Sequence, residues 1–253
     1  MTPTGRGVEA VTFDFWNTLV HPDDDATRQA RRQAVQAVLG DYGHTVDDAR
    51  LDDTFRSAFD AHHESWRANR QFTARHGGEM VVSLLELDLD DRQREVVVVA
   101  YSHAAADLDM RLTDHVGDAL AALHHRGVRL GIICDVGLTP SPVLRGWLDD
   151  HGVLDLFDHW SFSDEVGWYK PAPEIFEHAL AGLGVVDPAR AAHVGDLRRT
   201  DVGGAQAMGM LAVRYRGAYD DADDADPLDG TSRPEADVVI DDHDQLVDAL
   251  DLT

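Results

Sequence analysis

Polar residues follow short apolar runs at several places along the chain. Asp14 lies near the end of one run, Cys134 and Asp135 close another, Asp196 follows a third, and Lys170 lies in the loop W-Y-K-P-A-P. If these runs are parallel strands, their carboxyl ends meet at one edge of a sheet and bring the side chains together. Carboxylate oxygens bind a hard cation such as Mg²⁺ and leave room for phosphate, and a carboxylate can itself attack phosphorus. The residues therefore predict a cation site beside an anion site.

A parallel α/β sheet is the architecture that the sequence pattern predicts around these residues. Apolar, β-branched runs predict strands over residues 8–15, 128–134, 159–162, 191–194, 211–214 and 237–240. After Thr113 the strands alternate with helical segments, one of them predicted over residues 200–208. This alternation is typical of a Rossmann-like, doubly wound sheet covered on both faces. Tyr219–Pro234 is acidic and contains Gly and Pro, so we expect a surface loop there.

The segment between the first two strands has helical periodicity instead. Helices are predicted over residues 28–39, 46–70, 78–87 and 91–108. The run Val96–Val99 alone would suit a strand, but its flanks favour a helix. We therefore predict an all-helical cap domain over residues 23–112, and an α/β core domain formed by residues 1–22 and 113–253.

The charge composition restricts the classes of binding partner. The chain has 253 residues, of which 47 are acidic and 22 are Lys or Arg, and its formal net charge is −25. Phosphate backbones and anionic membranes would be repelled over most of such a surface, so we expect no nucleic-acid or membrane partner. A small phosphorylated substrate needs only a local positive site. Lys170 is the only lysine, and its retention indicates a function, because Arg does not replace Lys where a compact point charge is needed.

Cysteine usage and apolar runs indicate the compartment. The single cysteine, Cys134, excludes an intramolecular disulfide framework. No run of about 18 apolar residues predicts a membrane span, and the first residues lack the apolar region of a signal peptide. We expect a cytoplasmic protein that acts on a small molecule, and the sequence does not indicate an oligomeric state.

Four motifs occur in a fixed order: F-D-F-W-N-T-L, G-I-I-C-D, E-V-G-W-Y-K-P-A-P-E-I-F and H-V-G-D-L-R-R-T-D-V-G-G-A. From residue 8 to about residue 240, the chain resembles the haloacid dehalogenase (HAD) superfamily of hydrolases. The helical block resembles the cap of subfamily I, which is inserted after the first motif. The resemblance implies a Mg²⁺-dependent hydrolase, foremost a phosphatase that acts on a small phosphorylated metabolite through an aspartyl-phosphate.

The resemblance also implies a role for each matching residue. Asp14 matches the nucleophile, which also binds Mg²⁺, and Lys170 matches the lysine that balances the negative charge of nucleophile and phosphate. Cys134 stands where the family usually has a Ser or Thr that donates to phosphate. Asp196 matches a direct Mg²⁺ ligand, and Asp201 matches the acid that orients the ligands around the metal. We expect Lys170→Ala to abolish turnover without unfolding the chain.

Trp16 departs from the family pattern. It stands where family phosphatases usually carry a second aspartate, which protonates the leaving group and later activates water. Its carbonyl could still bind Mg²⁺, but its side chain cannot supply the roughly 10²–10⁴-fold of general acid–base catalysis. We therefore expect a preference for good leaving groups such as acyl phosphates. Together with Trp16, the predicted substrate-binding residues are Asn17, Thr18 and Asp135.

Other functions remain open on these residues. In a 2-haloacid dehalogenase the same aspartate attacks carbon; such enzymes also have an aromatic residue two positions later, but typically lack the paired acids matched by Asp196 and Asp201. A binding protein without turnover would suit Trp16 and Cys134. A phosphonatase would need a cap lysine for its Schiff base, and residues 26–112 contain none. A phosphomutase would need the missing acid.

The helical block contains its own candidates for substrate selection. They are aromatic residues and arginines: Phe55, Phe59, Trp66, Tyr101, Arg56, Arg67 and Arg70. At helical spacing such aromatic residues predict cap core, or else a pocket for a substrate with an apolar part and an additional anion.

Overall fold

The computed structural model describes residues 7–221 and 235–252. Most of the predicted surface loop Tyr219–Pro234 thus lies outside the described residues. Across the described ranges, no helix has both the length and the apolar character that crossing a membrane would require.

The chain divides into two compact units. An α/β unit contains the described parts of residues 1–22, 110–135 and 148–253, and a helical unit contains residues 23–109 and 136–147. Residues 110–112, which the sequence assigned to the cap, belong to the α/β unit, and residues 136–147, which it assigned to the core, belong to the helical unit.

The α/β unit is built on a six-stranded, fully parallel sheet. Its strands are β1 Ala10–Phe13, β2 Arg129–Cys134, β3 His159–Phe162, β4 Ala191–Gly195, β5 Leu211–Tyr215 and β6 Val238–Ile240. The order is β3-β2-β1-β4-β5-β6, so β1 lies between the two halves of the sheet, where ligands of such folds bind beyond the strand ends. The predicted α/β fold is confirmed.

Four helices form most of the helical unit: α1 Asp24–Asp41, α2 Asp48–Arg67, α3 Ala74–Leu85 and α4 Asp91–His103. Each begins after a side chain that accepts a hydrogen bond from the first turn, as Asp47 does from the Arg50 amide and Asp90 from the Gln93 amide. Their apolar faces meet in one core that includes Leu51, Val81 and Val97. The run Val96–Val99 lies within α4, as its flanks indicated.

The remaining helices are α5 Val116–His125, α6 Ser141–Asp150, α7 Ser163–Val166, α8 Pro173–Gly182, α9 Gly203–Ala207 and α10 Leu246–Ala249. α8 and α9 pack on the sheet through Phe176 and Ala205, which share a buried cluster with Ile133. The continuous α-helix expected over residues 200–208 is replaced by two shorter elements. A π-helical turn, Arg198–Val202, precedes the short α9.

Candidate active site

Asp14 is fixed at the carboxyl end of β1. Its amide donates to the Val194 carbonyl at 2.8 Å, which continues the pairing of β1 and β4 past the last ladder residue. The chain then turns back, and the Phe15 carbonyl accepts from the amides of Leu19 and Val20. Asn17 has a φ of 56° in this turn, a left-handed conformation that Asn tolerates better than most residues. The Asp14 carboxylate therefore projects from a rigid strand end.

Lys170 links two of the predicted carboxylates. Its Nζ lies 2.5 Å from Oδ1 of Asp14 and 2.6 Å from Oδ1 of Asp201, and the residue is only 2% exposed. Its backbone amide donates to Oδ1 of Asp135 at 2.8 Å. Asp135, predicted to bind substrate, thus ties the lysine's loop to the end of β2.

Asp201 is the most strongly hydrogen-bonded acid of the group. Besides Lys170, His193 contacts its Oδ1 at 3.1 Å, and the Leu197 amide donates to its Oδ2 at 2.9 Å. Burial alone would raise the pKa of Asp201, but Lys170 and His193 outweigh it, so the pKa lies below its usual value. Asp201 is therefore ionised and holds the lysine in place.

His193 is a site residue that the sequence analysis missed. Burial lowers the pKa of its ring, so the ring is neutral. Its Nε2 faces Oδ1 of Asp201 at 3.1 Å, and its Nδ1 faces the Thr12 hydroxyl at 2.9 Å. Because a carboxylate only accepts, we assign the ring proton to Nε2 and let Thr12 donate to Nδ1. A polar residue inside the otherwise apolar strand β4 was the available signal.

Asp196 completes a cluster of three buried acids. Oxygen atoms of Asp14, Asp196 and Asp201 all lie within 4.8 Å of one another, and Asn17 donates to Oδ2 of Asp196 at 3.2 Å. Burial and the charges of the other two acids raise the pKa of Asp196 well above its usual value. Burial likewise raises the pKa of Asp14 to about 7, despite the opposing effect of Lys170. Both shifts reflect excess negative charge in a desolvated site.

A divalent cation fits this cluster. When ionised, the three carboxylates exceed the single ammonium of Lys170 by two negative charges, and buried charges need compensation. Mg²⁺ prefers oxygen ligands of this kind. Hydrogen bonds already engage both oxygens of Asp201, so Asp14 and Asp196 are the residues best placed to bind the ion directly.

The comparison with known families decides the class of protein. A family model for haloacid dehalogenase-like hydrolases matches residues 8–209. The chain belongs to this hydrolase family. The glyceraldehyde 3-phosphate phosphatase of Methanopyrus kandleri is 30% identical over 219 residues, which make up 85% of this chain and 87% of that relative.

Solved structures of haloacid dehalogenase-like proteins share the fold over nearly the whole chain. A HAD phosphatase from Thermococcus onnurineus has a TM-score of 0.63 and 26% identity, and the match covers 96% of this chain and 97% of the other. A 2-haloacid dehalogenase from Pseudomonas syringae has a TM-score of 0.68 at 23% identity and covers 97% and 99%. The resemblance read from the four motifs is confirmed.

The two residues that depart from the usual family pattern also lie in the α/β unit. Cys134 ends β2 and is fully buried, and burial together with the charge of Asp14 raises the pKa of its thiol well above the usual value. The thiol is therefore neutral. The half-buried Trp16 packs its ring edge-on against Phe15, with 5.2 Å between centroids.

Thr18 is held in the turn after Asp14 by its backbone. Its carbonyl accepts from the Thr113 hydroxyl at 2.6 Å and lies 2.8 Å from Nε2 of His243. Its own hydroxyl is buried and has no hydrogen-bond partner within the described part of the chain. Thr18 thus offers a donor that no described residue uses, whereas Asn17 and Asp135 bond to other site residues.

Proposed function

We propose that this hydrolase is a Mg²⁺-dependent phosphatase that cleaves a small phosphorylated metabolite through an aspartyl-phosphate on Asp14. The observation that carries the proposal is the buried cluster of Asp14, Asp196 and Asp201 around the single ammonium of Lys170. In this proposal the helical unit is the cap domain that selects the substrate. The cytoplasmic location stays a prediction from the sequence.

Asp14 acts as the nucleophile in this scheme. One of its oxygens attacks phosphorus, the bond between phosphorus and the ester or acyl oxygen breaks, and the leaving group departs with that electron pair. An alkoxide then takes up a proton from water, whereas an acyl group leaves as the carboxylate. Water then attacks the aspartyl-phosphate, which releases inorganic phosphate and restores the carboxylate. Lys170 offsets the charge that gathers on Asp14 and the phosphoryl group, and Asp201 and His193 keep Lys170 in position.

Mg²⁺, when bound, would supply positive charge to offset the carboxylates and the phosphate oxygens. Asp14 and Asp196 would hold it, and the Trp16 carbonyl is a further proposed ligand. The Asn17 amide orients Asp196 for this purpose. The neutral thiol of Cys134 and the hydroxyl of Thr18 are the proposed donors to phosphate, and the thiol is the weaker of the two.

The identity of Trp16 shapes the expected substrate. Because an indole cannot protonate an alkoxide, acyl phosphates and other esters with stable leaving groups should react faster than simple alkyl phosphates. The Methanopyrus kandleri relative acts, by its name, on glyceraldehyde 3-phosphate. A small phosphorylated aldehyde or sugar therefore belongs beside acetyl phosphate in the first substrate panel.

The test is phosphate release by the purified protein from that panel. We expect turnover with Mg²⁺, loss of turnover with EDTA, and loss of turnover in Asp14→Asn at any Mg²⁺ concentration. Asp25→Asn, a change at an exposed aspartate of α1, is the matched control and should behave as wild type. If neither the metabolites nor acetyl phosphate releases phosphate, the proposal is wrong.

Dehalogenation is the second candidate, and the aromatic residue two positions after the nucleophile, Trp16, favours it. In that reaction Asp14 would attack the carbon that bears the halogen, the carbon–halogen bond would break and release halide, and water would then hydrolyse the resulting ester. The assay is halide release from 2-chloropropionate with and without EDTA. Release that EDTA leaves unchanged, without any phosphatase activity, would place this reaction first.

A further inference from the structure

The helical unit contains a cavity of its own. Its volume is about 410 Å³, which lies within the usual range for small-molecule sites. All of its lining residues come from the helical unit, and α1 and α2 contribute most of them. Four arginines line it: Arg28, Arg31, Arg32 and Arg56.

Three of these arginines are neutralised by aspartates of the same unit. The ion pairs are Arg28 with Asp25 at 2.5 Å, Arg32 with Asp52 at 2.7 Å and Arg56 with Asp53 at 2.8 Å. Their charges are therefore already compensated within the protein.

Arg31 is the exception. Its Nη2 donates to the Leu138 carbonyl at 2.7 Å and to the Thr139 hydroxyl at 3.0 Å, and both acceptors are neutral. Within residues 7–221 and 235–252, no carboxylate lies within ion-pairing distance of Arg31; Asp24 lines the same cavity, and its charge acts on Arg31 without a direct ion pair. Burial lowers the pKa of the Arg31 guanidinium, yet arginine stays charged in proteins. The cavity wall thus holds a poorly solvated cation that lacks a bonded counter-charge.

Aromatic rings form the adjoining wall. The centroid of the Tyr101 ring lies 5.1 Å from Cζ of Arg31 and 5.2 Å from the ring of Phe55. Phe59 also lines the cavity; its ring packs against that of His63, with 4.2 Å between centroids, and the residue is still 47% exposed. A guanidinium beside aromatic faces suits a ligand that has both an anionic group and an apolar body.

We propose that this cavity binds a small organic anion, whose carboxylate or phosphate pairs with Arg31 and whose apolar body packs against Phe55, Phe59 and Tyr101. The ligand supplies the direct ion pair that Arg31 lacks and covers the exposed part of the Phe59 ring. The site lies within the helical unit, and its occupancy does not depend on turnover at Asp14.

Binding of simple probes to the full-length protein tests the proposal. Benzoate and phenylphosphonate carry the two candidate anionic groups on the same ring, and benzyl alcohol is their neutral counterpart. We expect both anions to bind about tenfold or more tighter than benzyl alcohol, the usual size of a charge-assisted contact. Amide chemical shifts should change in α1 and α2. Shifts confined to the surroundings of Asp14 and Lys170 would overturn the assignment.

Two pairs of variants separate the charge from the apolar wall. Arg31→Met should weaken benzoate about tenfold or more, whereas Arg75→Met, at an arginine paired with Glu79 and Glu95, should not. Phe59→Ala should weaken both anions, whereas Val99→Ala, at an equally exposed apolar residue of α4, should not.

Several results would overturn the proposal. They are equal affinity for benzoate and benzyl alcohol, equal losses in Arg31→Met and Arg75→Met, and no saturable binding of either anion. If circular dichroism shows that Arg31→Met does not fold, the proposal is tested instead by comparing Phe59→Ala with Val99→Ala and by measuring how the benzoate affinity of the wild-type protein depends on salt. Affinity that does not fall as salt rises would contradict an ion pair with Arg31.

Discussion

At the scale of single residues, the position of Lys170 in the structure changes the expected effect of replacing it on stability. The ammonium is buried and bonds to both Asp14 and Asp201, so its removal leaves acidic groups without compensation. The sequence alone suggested that Lys170→Ala would spare the fold. The structure predicts a cost to stability as well as to catalysis.

We therefore expect Lys170→Met to lower turnover by about a hundredfold or more and the free energy of unfolding by about 3–5 kcal/mol in EDTA. Phosphate release and urea unfolding measure the two effects. Arg56→Met removes an exposed ion pair and should cost at most about 1 kcal/mol. A Lys170→Met protein as stable as wild type would contradict the proposed role of the lysine in holding the acids together.

Trp16 allows a gain-of-function test. Trp16→Asp restores a carboxyl group at the position from which family phosphatases protonate the leaving group, and should raise kcat on an alkyl phosphate about tenfold or more. Acetyl phosphate, whose leaving group needs no proton, should respond little. Trp16→Asn provides the same small side chain without the acid. If Asn and Asp at this position give equal rates, the missing acid does not limit the reaction.

The motifs predicted which residues form the site but not how they support one another. Asp14, Lys170, Asp196 and Asp201 do lie together at the end of the sheet. His193 was missed because its partner Thr12 lies 181 positions away in the sequence, and only the pairing of β1 with β4 brings them into contact. Hydrogen bonds across a sheet leave no local pattern for sequence analysis to detect.

At the scale of elements, the junction between β4 and the π-helical turn positions Asp201. Gly195 ends β4, and a Cβ placed there would lie 2.3 Å from Cγ of Asp201. No side chain fits at that distance, so the acid approaches the sheet only because this residue is glycine.

Gly195→Ala should therefore displace Asp201, loosen Lys170 and lower turnover about tenfold or more, with a loss of stability of about 1–3 kcal/mol. Gly117→Ala, in α5, provides the control: a Cβ at this position would meet nothing within 4 Å. That change should stabilise the protein by about 0.5–1 kcal/mol. Unchanged turnover in Gly195→Ala would show that the position of Asp201 is not critical.

Hydrophobic periodicity predicted the positions of the strands well, but it failed where tertiary contacts determine the backbone conformation. β1 ends at Phe13 rather than at Phe15, because the chain turns after Asp14. The π-helical turn was predicted as ordinary helix, since apolar spacing does not distinguish the two. Here the Leu197 carbonyl accepts from the amides of both Asp201 and Val202, while Asp201 is held by groups distant in sequence.

At the scale of the whole molecule, a buried histidine should make stability depend on pH. His243 is 0% exposed, stacks on Tyr215 at 4.1 Å and bonds through Nε2 to the Thr18 carbonyl at 2.8 Å. Burial lowers its pKa from 6.5 to about 4. The ring is therefore neutral in the folded protein, whereas the unfolded chain takes up a proton below pH 6.5.

The free energy of unfolding should thus fall as the pH drops from about 6.5 to about 4, with His243 contributing about 3 kcal/mol in total. His243→Gln should flatten the curve in this range, and His125→Gln, at an exposed position of α5, should not. Chemical denaturation at a series of pH values measures this free energy of unfolding. Parallel curves for wild type and His243→Gln would contradict the prediction.

The charge composition led us to expect no nucleic-acid or membrane partner, but it could not show how charge is distributed inside the molecule. The structure assigns particular residues to two features of the composition, the excess of acids and the many arginines. The excess of acids includes a buried cluster around Lys170, and the arginines include Arg31, which forms no ion pair with a carboxylate of the described residues. The first feature supports hydrolysis and the second supports ligand binding, and the two can be tested separately.

Trapping the covalent intermediate tests the central claim most directly. The protein is mixed with acetyl phosphate that carries a ³²P label, quenched in acid within a turnover, digested and mapped by mass spectrometry. We predict label on the peptide that contains Asp14, formed with Mg²⁺, lost in EDTA and absent from Asp14→Asn. Phosphate release without any label on Asp14, or label on another residue, would contradict the account.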